Sequence, residues 1–89
     1  MISENDRTRI VELSRKYGAK RVLLFGSSTS RADQAKDIDL AVEGLSARLF
    51  FQFYGELIIA LSKPVDLVDL GRKTMFTSLI SKEGVPVYG

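Results

Sequence analysis

The sequence predicts an α+β fold: about four short strands with helices packed on them. Two observations lead there. Apolar residues change period along the chain, from helical spacing over 4–17 and 46–61 to short runs or alternation over 21–25, 37–43 and 65–70. The elements then follow in the order α-β-β-α-β-α-β, without a linker, repeat or low-complexity tract.

Ser3 followed by Asp6 resembles a capping box, with Asp in place of the usual Glu or Gln. Behind it Ile10, Leu13 and Tyr17 recur at helical spacing, and Gly18 is a natural stop. The run from Arg21 to Phe25 is apolar and bounded by Gly18 and Gly26, as in a buried strand. Residues 26–36 are rich in Gly, Ser, Thr and charge and read as a loop, with room for one helical turn. From Asp37 to Glu43 the chain alternates: Ile38, Leu40 and Val42 face one way, and Asp37, Asp39, Ala41 and Glu43 the other. The longest helix covers Ser46–Leu61 despite Gly55 at its centre, and Pro64 opens a strand over Val65–Leu70. Met75, Phe76, Leu79 and Ile80 mark a last helix ending at Gly84, and Val85–Tyr88 form a short edge strand.

Eighty-nine residues predict one small domain spanning 1–89. A hydrophobic content of 45% is enough for one core and argues against disorder. There is no Cys and no His, which excludes disulfides, thiolate metal sites, His general bases and His-ligated zinc. Acid–base or metal chemistry must come from Asp and Glu, whose oxygens suit Mg²⁺ or Mn²⁺. A net charge of +2 does not mark a nucleic-acid binder. No apolar run approaches the roughly 18 residues that span a bilayer, and the polar start lacks a signal-peptide core. The expectation is a cytoplasmic protein with no membrane partner.

Three features converge on chemistry. Gly26-Ser27 follows a strand, Asp37 and Asp39 flank Ile38 on the next strand, and Asp66 interrupts an otherwise largely apolar third strand. Residues i and i+2 of a strand point the same way, so both carboxylates of the pair can face one point. Like charges held that close raise each other's pKa unless a cation lies between them. Asp is disfavoured within strands, so Asp66 is a candidate third ligand if its strand pairs with the second. The bland alternative makes Asp37 a strand cap, Asp39 solvent-facing, and Asp66 and Asp69 exposed edge residues. Each Asp taken alone favours that alternative, whereas the three together with the upstream loop favour a site. Gly26 permits close backbone approach, and Ser27, Ser28, Thr29 and Ser30 offer N–H groups and hydroxyls to phosphate, with Arg31 and Lys36 adding positive charge.

Leu24-Phe25-Gly26-Ser27, a nine-residue gap, then Asp37-Ile38-Asp39-Leu40 resembles the Gly-Ser…Asp-x-Asp signature of the polymerase β nucleotidyltransferase superfamily. The match is closest to its minimal nucleotidyltransferases, among them those of antitoxin type. Pro64-Val65-Asp66-Leu67-Val68 resembles the strand bearing that family's third carboxylate, and Glu83-Gly84…Tyr88 the family's usual ending. The resemblance implies a polymerase β-like fold with a mixed β-sheet of about four strands and helices packed on it. It implies that Gly26 and Ser27, with Ser28, Arg31 and Lys36 nearby, hold a nucleoside triphosphate. It implies that Asp37, Asp39 and Asp66 are catalytic and bind two Mg²⁺ ions, with Mn²⁺ as a substitute. Transfer would be an in-line displacement assisted by both metals. The chain departs from many minimal members in carrying Ser28-Thr29 where Arg-Ala is common, and Lys36 where Ser often precedes the first Asp.

The resemblance further implies a partner, a HEPN-domain toxin, and transfer of AMP from ATP to a tyrosine of it. The alternative is a nucleotidyltransferase-fold binding module that neutralises a helical partner by complex formation. On a helical wheel, Ala47, Phe50, Phe51, Tyr54, Leu57, Ile58 and Leu61 form one apolar stripe expected to be core. Leu49 and Phe53 fall outside it, either covered by the first helix or serving as a docking face for a homodimer or another protein. Arg15, Lys16, Lys20 and Arg21 cluster in sequence, read as a solvated helix end rather than an RNA contact.

Overall fold

The computed structural model describes residues 2–26 and 36–89. Helix α1 (Glu4–Tyr17) leads into β1 (Arg21–Leu24), and β2 (Ile38–Glu43) is followed by α2 (Ala47–Ala60), β3 (Val65–Asp69), α3 (Met75–Glu83) and β4 (Val85–Tyr88). The strands form a four-stranded sheet in the order β3-β2-β1-β4. β1 runs antiparallel to β2 and β4, whereas β2 and β3 are parallel. The expected α+β fold with a mixed sheet is therefore present. Helix α2 supplies the crossover that parallel neighbours require.

Local chemistry explains where the helices begin and end. Ser3 accepts from the Asp6 amide at 3.1 Å, and the Gly18 cap adopts φ 73°, sending its N–H back to the last turn of α1. Ser46 accepts from the Leu49 amide to start α2. Thr74 and Thr77 exchange side-chain and backbone bonds in a capping box that starts α3. The expected box at Ser3 is only half formed. The Asp6 carboxylate turns inward, is buried, and accepts from Ser62 N at 3.1 Å and Ser62 Oγ at 2.5 Å. It ties the start of α1 to the chain leaving α2.

The sheet separates two apolar layers. On one face Val22, Leu24, Ile38, Leu40, Val42 and Leu67 pack under α1 and α2, where Ile10, Phe53 and Leu57 are fully buried. On the other face Leu23, Ala41 and Leu70 pack under Ile80 of α3, with Phe25 and Val68 at the margin. The second layer is smaller. Strand alternation places Asp39 and Asp66 on that same face.

Of the two readings of Leu49 and Phe53, the structure has cover by the first helix, and Phe53 is no part of a docking face. Phe53 is fully buried, its ring meeting Tyr17 of α1 edge-on at 5.8 Å, and Leu49 is half-buried. The period of α2 was right but the phase was rotated. Helix α1 covers the side centred on Phe53 and Leu57, and Phe51 and Ile58, expected in the core, face outward at 70% and 56% exposure. Ile59 is 86% exposed beside them.

The basic cluster is largely spent on acidic neighbours. Arg21 Nε lies 2.6 Å from Glu43, Lys20 Nζ lies 3.7 Å from the same carboxylate, and Lys16 Nζ lies 2.9 Å from Glu56. No helix among the described residues is long and apolar enough to cross a membrane.

Candidate active site

The end of β1 and the starts of β2 and β3 lie side by side. The Phe25 amide donates to the Asp39 carbonyl at 3.0 Å, and the Ile38 amide donates to the Pro64 carbonyl at 2.8 Å. These bonds lock the register in which Asp39 stands directly opposite Asp66 on the parallel neighbour. Adjacent strands lie roughly 4.8 Å apart, so two side chains in register on one face are immediate neighbours. Asp37 precedes β2 by one residue and is exposed, Asp66 is exposed on the edge strand, and Asp39 is partly buried.

Asp39 bears the electrostatic cost. Burial pushes its carboxyl above the usual range, and the charges of Asp66 and then Asp37 push in the same direction. Gly26 stands against it. Its backbone has φ 68°, and a Cβ there would come within 2.6 Å of Asp39 Oδ2. Only glycine satisfies both the left-handed conformation and the approach.

Asp66 and Asp69 are now distinguishable. Asp69 pairs with Val42 at the far end of the strand, lies three residues from Asp66 and hence on the opposite face, and accepts from the Gly71 amide at 2.8 Å. It stabilises a turn, while Asp66 faces Asp39. Of the candidate phosphate ligands, Gly26 adjoins the carboxylates and Lys36 is exposed one residue before Asp37, whereas Ser27, Ser28 and Arg31 fall outside the described residues.

The donor set is all oxygen, which fits a hard divalent cation. A half-buried carboxylate beside two like charges is the kind of group that such a cation relieves. Among the described residues no group of three acidic side chains is placed to hold a metal ion.

Sequence reasoning missed the neighbourhood of α3. Phe76 meets Phe25 edge-on at 5.9 Å, and a cavity of about 330 Å³ beside them reaches Gly26. Met75, Phe76, Leu79 and Ile80 fall on one helical stripe, so the sequence carried no signal that Phe76 and Leu79 would stay exposed.

The fold recurs in solved structures. The chain superposes with a TM-score of 0.73 and 28% identity, over 93% of its own length and 73% of the other chain, on a crystal structure of a toxin–antitoxin with AMP-PNP. It superposes with a TM-score of 0.71 and 27% identity on a structure of tri-AMPylated Shewanella oneidensis HEPN toxin in complex with MNT antitoxin, over 94% and 70% of the two chains. A crystal structure of the toxin–antitoxin MntA-HepT matches at a TM-score of 0.73 and 25% identity, over 98% and 73%. In fold the chain is similar to the MNT antitoxins of these complexes. No known family profile and no curated protein matches it by sequence. Within that shared fold this chain has a glycine turn after one strand, and carboxylates in register on the two strands beside it.

Proposed function

We propose that this chain transfers a nucleoside monophosphate, AMP from ATP, to a hydroxyl of a protein partner, a tyrosine of a HEPN-type toxin, and thereby acts as an antitoxin. The observation that carries the reading is the Asp39–Asp66 register beside Gly26, with Asp37 acting on the same carboxylate. Relatives in the same fold are complexes of that kind, one with AMP-PNP and one with an AMPylated toxin.

Asp37, Asp39 and Asp66 would hold Mg²⁺, two ions, with Mn²⁺ able to take its place. Bound there, the metal supplies charge neutralisation for the triphosphate and for the leaving pyrophosphate. The chain's own residues do the rest. Gly26 lets the Asp39 carboxylate lie against the backbone of the turn, where a side chain would meet it at 2.6 Å, and the turn's N–H groups would serve the phosphates. Asp66, exposed on the edge strand, is open to an incoming hydroxyl and takes its proton. The hydroxyl oxygen bonds to the α-phosphorus, the bond from that phosphorus to pyrophosphate breaks, and pyrophosphate leaves.

The test is transfer from α-labelled ATP to a co-purified HEPN-type partner in the presence of Mg²⁺. Label should appear on the partner with the wild-type chain and disappear with Asp39→Asn. Absence of label with the wild type overturns the reading.

A second reading is a binding module that neutralises its partner without chemistry. The exposed Phe51, Ile58 and Ile59 on α2 favour it. The doubly substituted Asp37→Asn/Asp39→Asn chain separates the two: a module still neutralises the partner, and an enzyme does not.

A further inference from the structure

Strand β3 is an edge of the sheet, with β2 on its inner side and no strand beyond it. The Pro64 carbonyl and the Leu70 amide both bond toward β2. Main-chain groups alternate sides along a strand, so those of Asp66 and Val68 also face β2, while those of Val65, Leu67 and Asp69 turn outward. Two of the outward carbonyls are taken. Val65 accepts from the Tyr54 hydroxyl at 2.9 Å, and Asp69 accepts from the Arg72 amide at 3.2 Å. Among the described residues nothing bonds to the Leu67 N–H or carbonyl, so the edge is open at its centre. That centre floors a groove of about 610 Å³. Phe50 and Phe51 of α2 wall it on one face of the sheet and Phe76 of α3 on the other, with Leu67 and Val68 between them.

We infer that this groove receives the acceptor segment of the protein substrate as an added antiparallel strand, with the acceptor tyrosine seated opposite Val68 and its hydroxyl turned to Asp66. The inference rests on the nucleotidyl-transfer reading and deepens it. An added strand supplies the two main-chain bonds that Leu67 lacks, which a helix, bonded to itself, cannot do. Its side chains point alternately to the two faces of the sheet, here the α2 wall and the α3 wall. The tyrosine stands on the α3 side with Val68 and Asp66, so the residues before and after it meet Phe50 and Phe51 and are apolar. A side chain opposite Val68 is a diagonal neighbour of Asp66, roughly 7–8 Å away, a gap that an aromatic side chain spans. A serine or threonine would have to stand opposite Asp66 itself, which does not line the groove. Charge decides between partners. β3 offers an incoming strand two carboxylates, Asp66 and Asp69, so a hydroxyl donor is complementary and an acidic segment is repelled. A second copy of this chain is disfavoured on the same ground, because two β3 strands side by side would oppose carboxylate to carboxylate.

The inference can be tested on the full chain with Mg²⁺, α-labelled ATP and the co-purified HEPN-type partner, using two readouts. Hydrogen exchange, followed residue by residue, reports the mode of contact. The Leu67 amide should exchange roughly tenfold more slowly at a partner concentration above its KM than in the chain alone. Label transfer at varied partner concentration reports the walls. Phe51 is 70% and Phe76 53% exposed, so each can be truncated at little cost to the fold. Phe51→Ser and Phe76→Ser should each raise the KM for the partner about tenfold, with the affinity for ATP unchanged. Met75→Ser, on α3 but outside the groove, should leave that KM as it is. Transfer by the wild type with the Leu67 amide still exchanging as fast as in the free chain overturns the added strand and leaves the transfer reading intact. So does a KM unchanged in both groove variants, or raised as much by Met75→Ser. Absence of transfer by the wild type overturns the transfer reading, and this inference with it.

Discussion

Asp39 and Asp66 are direct register partners across the parallel β2–β3 pair, and burial makes Asp39 the costlier of the two charges to hold. Like charges directly opposite one another in a sheet are destabilising. If the proposed cation site is right, the cluster weakens the metal-free protein. Asp39→Asn should raise the stability of the metal-free chain by about 1 kcal/mol, which is roughly 4–8 °C in Tm for a domain of this size. The same variant should lose the rise in Tm that Mg²⁺ gives the wild type, because ligand binding to the folded state alone is what produces that rise. Thermal melts with and without Mg²⁺ measure both effects. A variant that is less stable without metal would mean that Asp39 is a structural hydrogen-bonding group and no part of a cation site.

Gly26 offers an independent handle on the same carboxylate. Its φ of 68° disfavours any side chain, and a Cβ would meet Asp39 Oδ2 at 2.6 Å. Gly26→Ala should cost roughly 1–2 kcal/mol from the backbone conformation alone, and it should also displace the Asp39 carboxylate. The expected outcome is a lower urea midpoint together with weaker Mg²⁺ binding. Loss of stability with unchanged metal affinity would show that the turn does not shape the site.

Glu43 sits at the opposite end of β2 and shows the reverse electrostatics. Its hydrogen bond from Arg21 holds its carboxyl below the ordinary value; partial burial works against this, and the charges of Arg21 and Lys20 add to it. Arg21 also donates to Ser81 Oγ at 3.2 Å, so the pair braces β1 against α3. A depressed folded pKa means the contribution is present above the unfolded value of about 4.3 and is lost as pH falls through the lower folded value. Glu43→Gln should therefore cost roughly 0.5–1 kcal/mol at neutral pH. Its urea midpoint should converge with that of the wild type as the pH is taken below the carboxylate range. A gap that stays constant on acidification would assign the loss to packing and not to charge.

Much of this arrangement was legible in the residues. Ser3, Gly18 and Pro64 marked element boundaries because capping and φ restriction are local, and α1 begins and ends where they predicted. The Asp37/Asp39 spacing predicted a shared face because strand alternation is also local. Whether Asp66 joined them depended on β2 pairing with β3 in one register out of several, which is tertiary information. The same limit hid Asp6. Read as half of a capping box, it instead spans 56 positions to Ser62, and no nearby pattern announces a bond of that range. Phe76 was hidden for a related reason: only the fold decided which residues of the α3 stripe Ile80 left outside.

Helix α2 gives the clearest separation of core from surface, because Phe53 is buried and Phe51, expected in the core, is exposed. Phe53 is fully buried against Tyr17 and the sheet, so Phe53→Ala should cost about 3–5 kcal/mol. Phe51 stands two residues earlier and is 70% exposed, so Phe51→Ser should change stability by about 0.5 kcal/mol or less. Denaturant titration of the two variants checks the pair directly. The comparison also governs how partner experiments are read. Loss of capture in Phe53→Ala reports unfolding, since that side chain reaches no surface, whereas loss in Phe51→Ser at unchanged stability reports a contact. If instead Phe53→Ala is as stable as the wild type, α1 does not cover α2 and the alternative of a docking face at Leu49 and Phe53 returns.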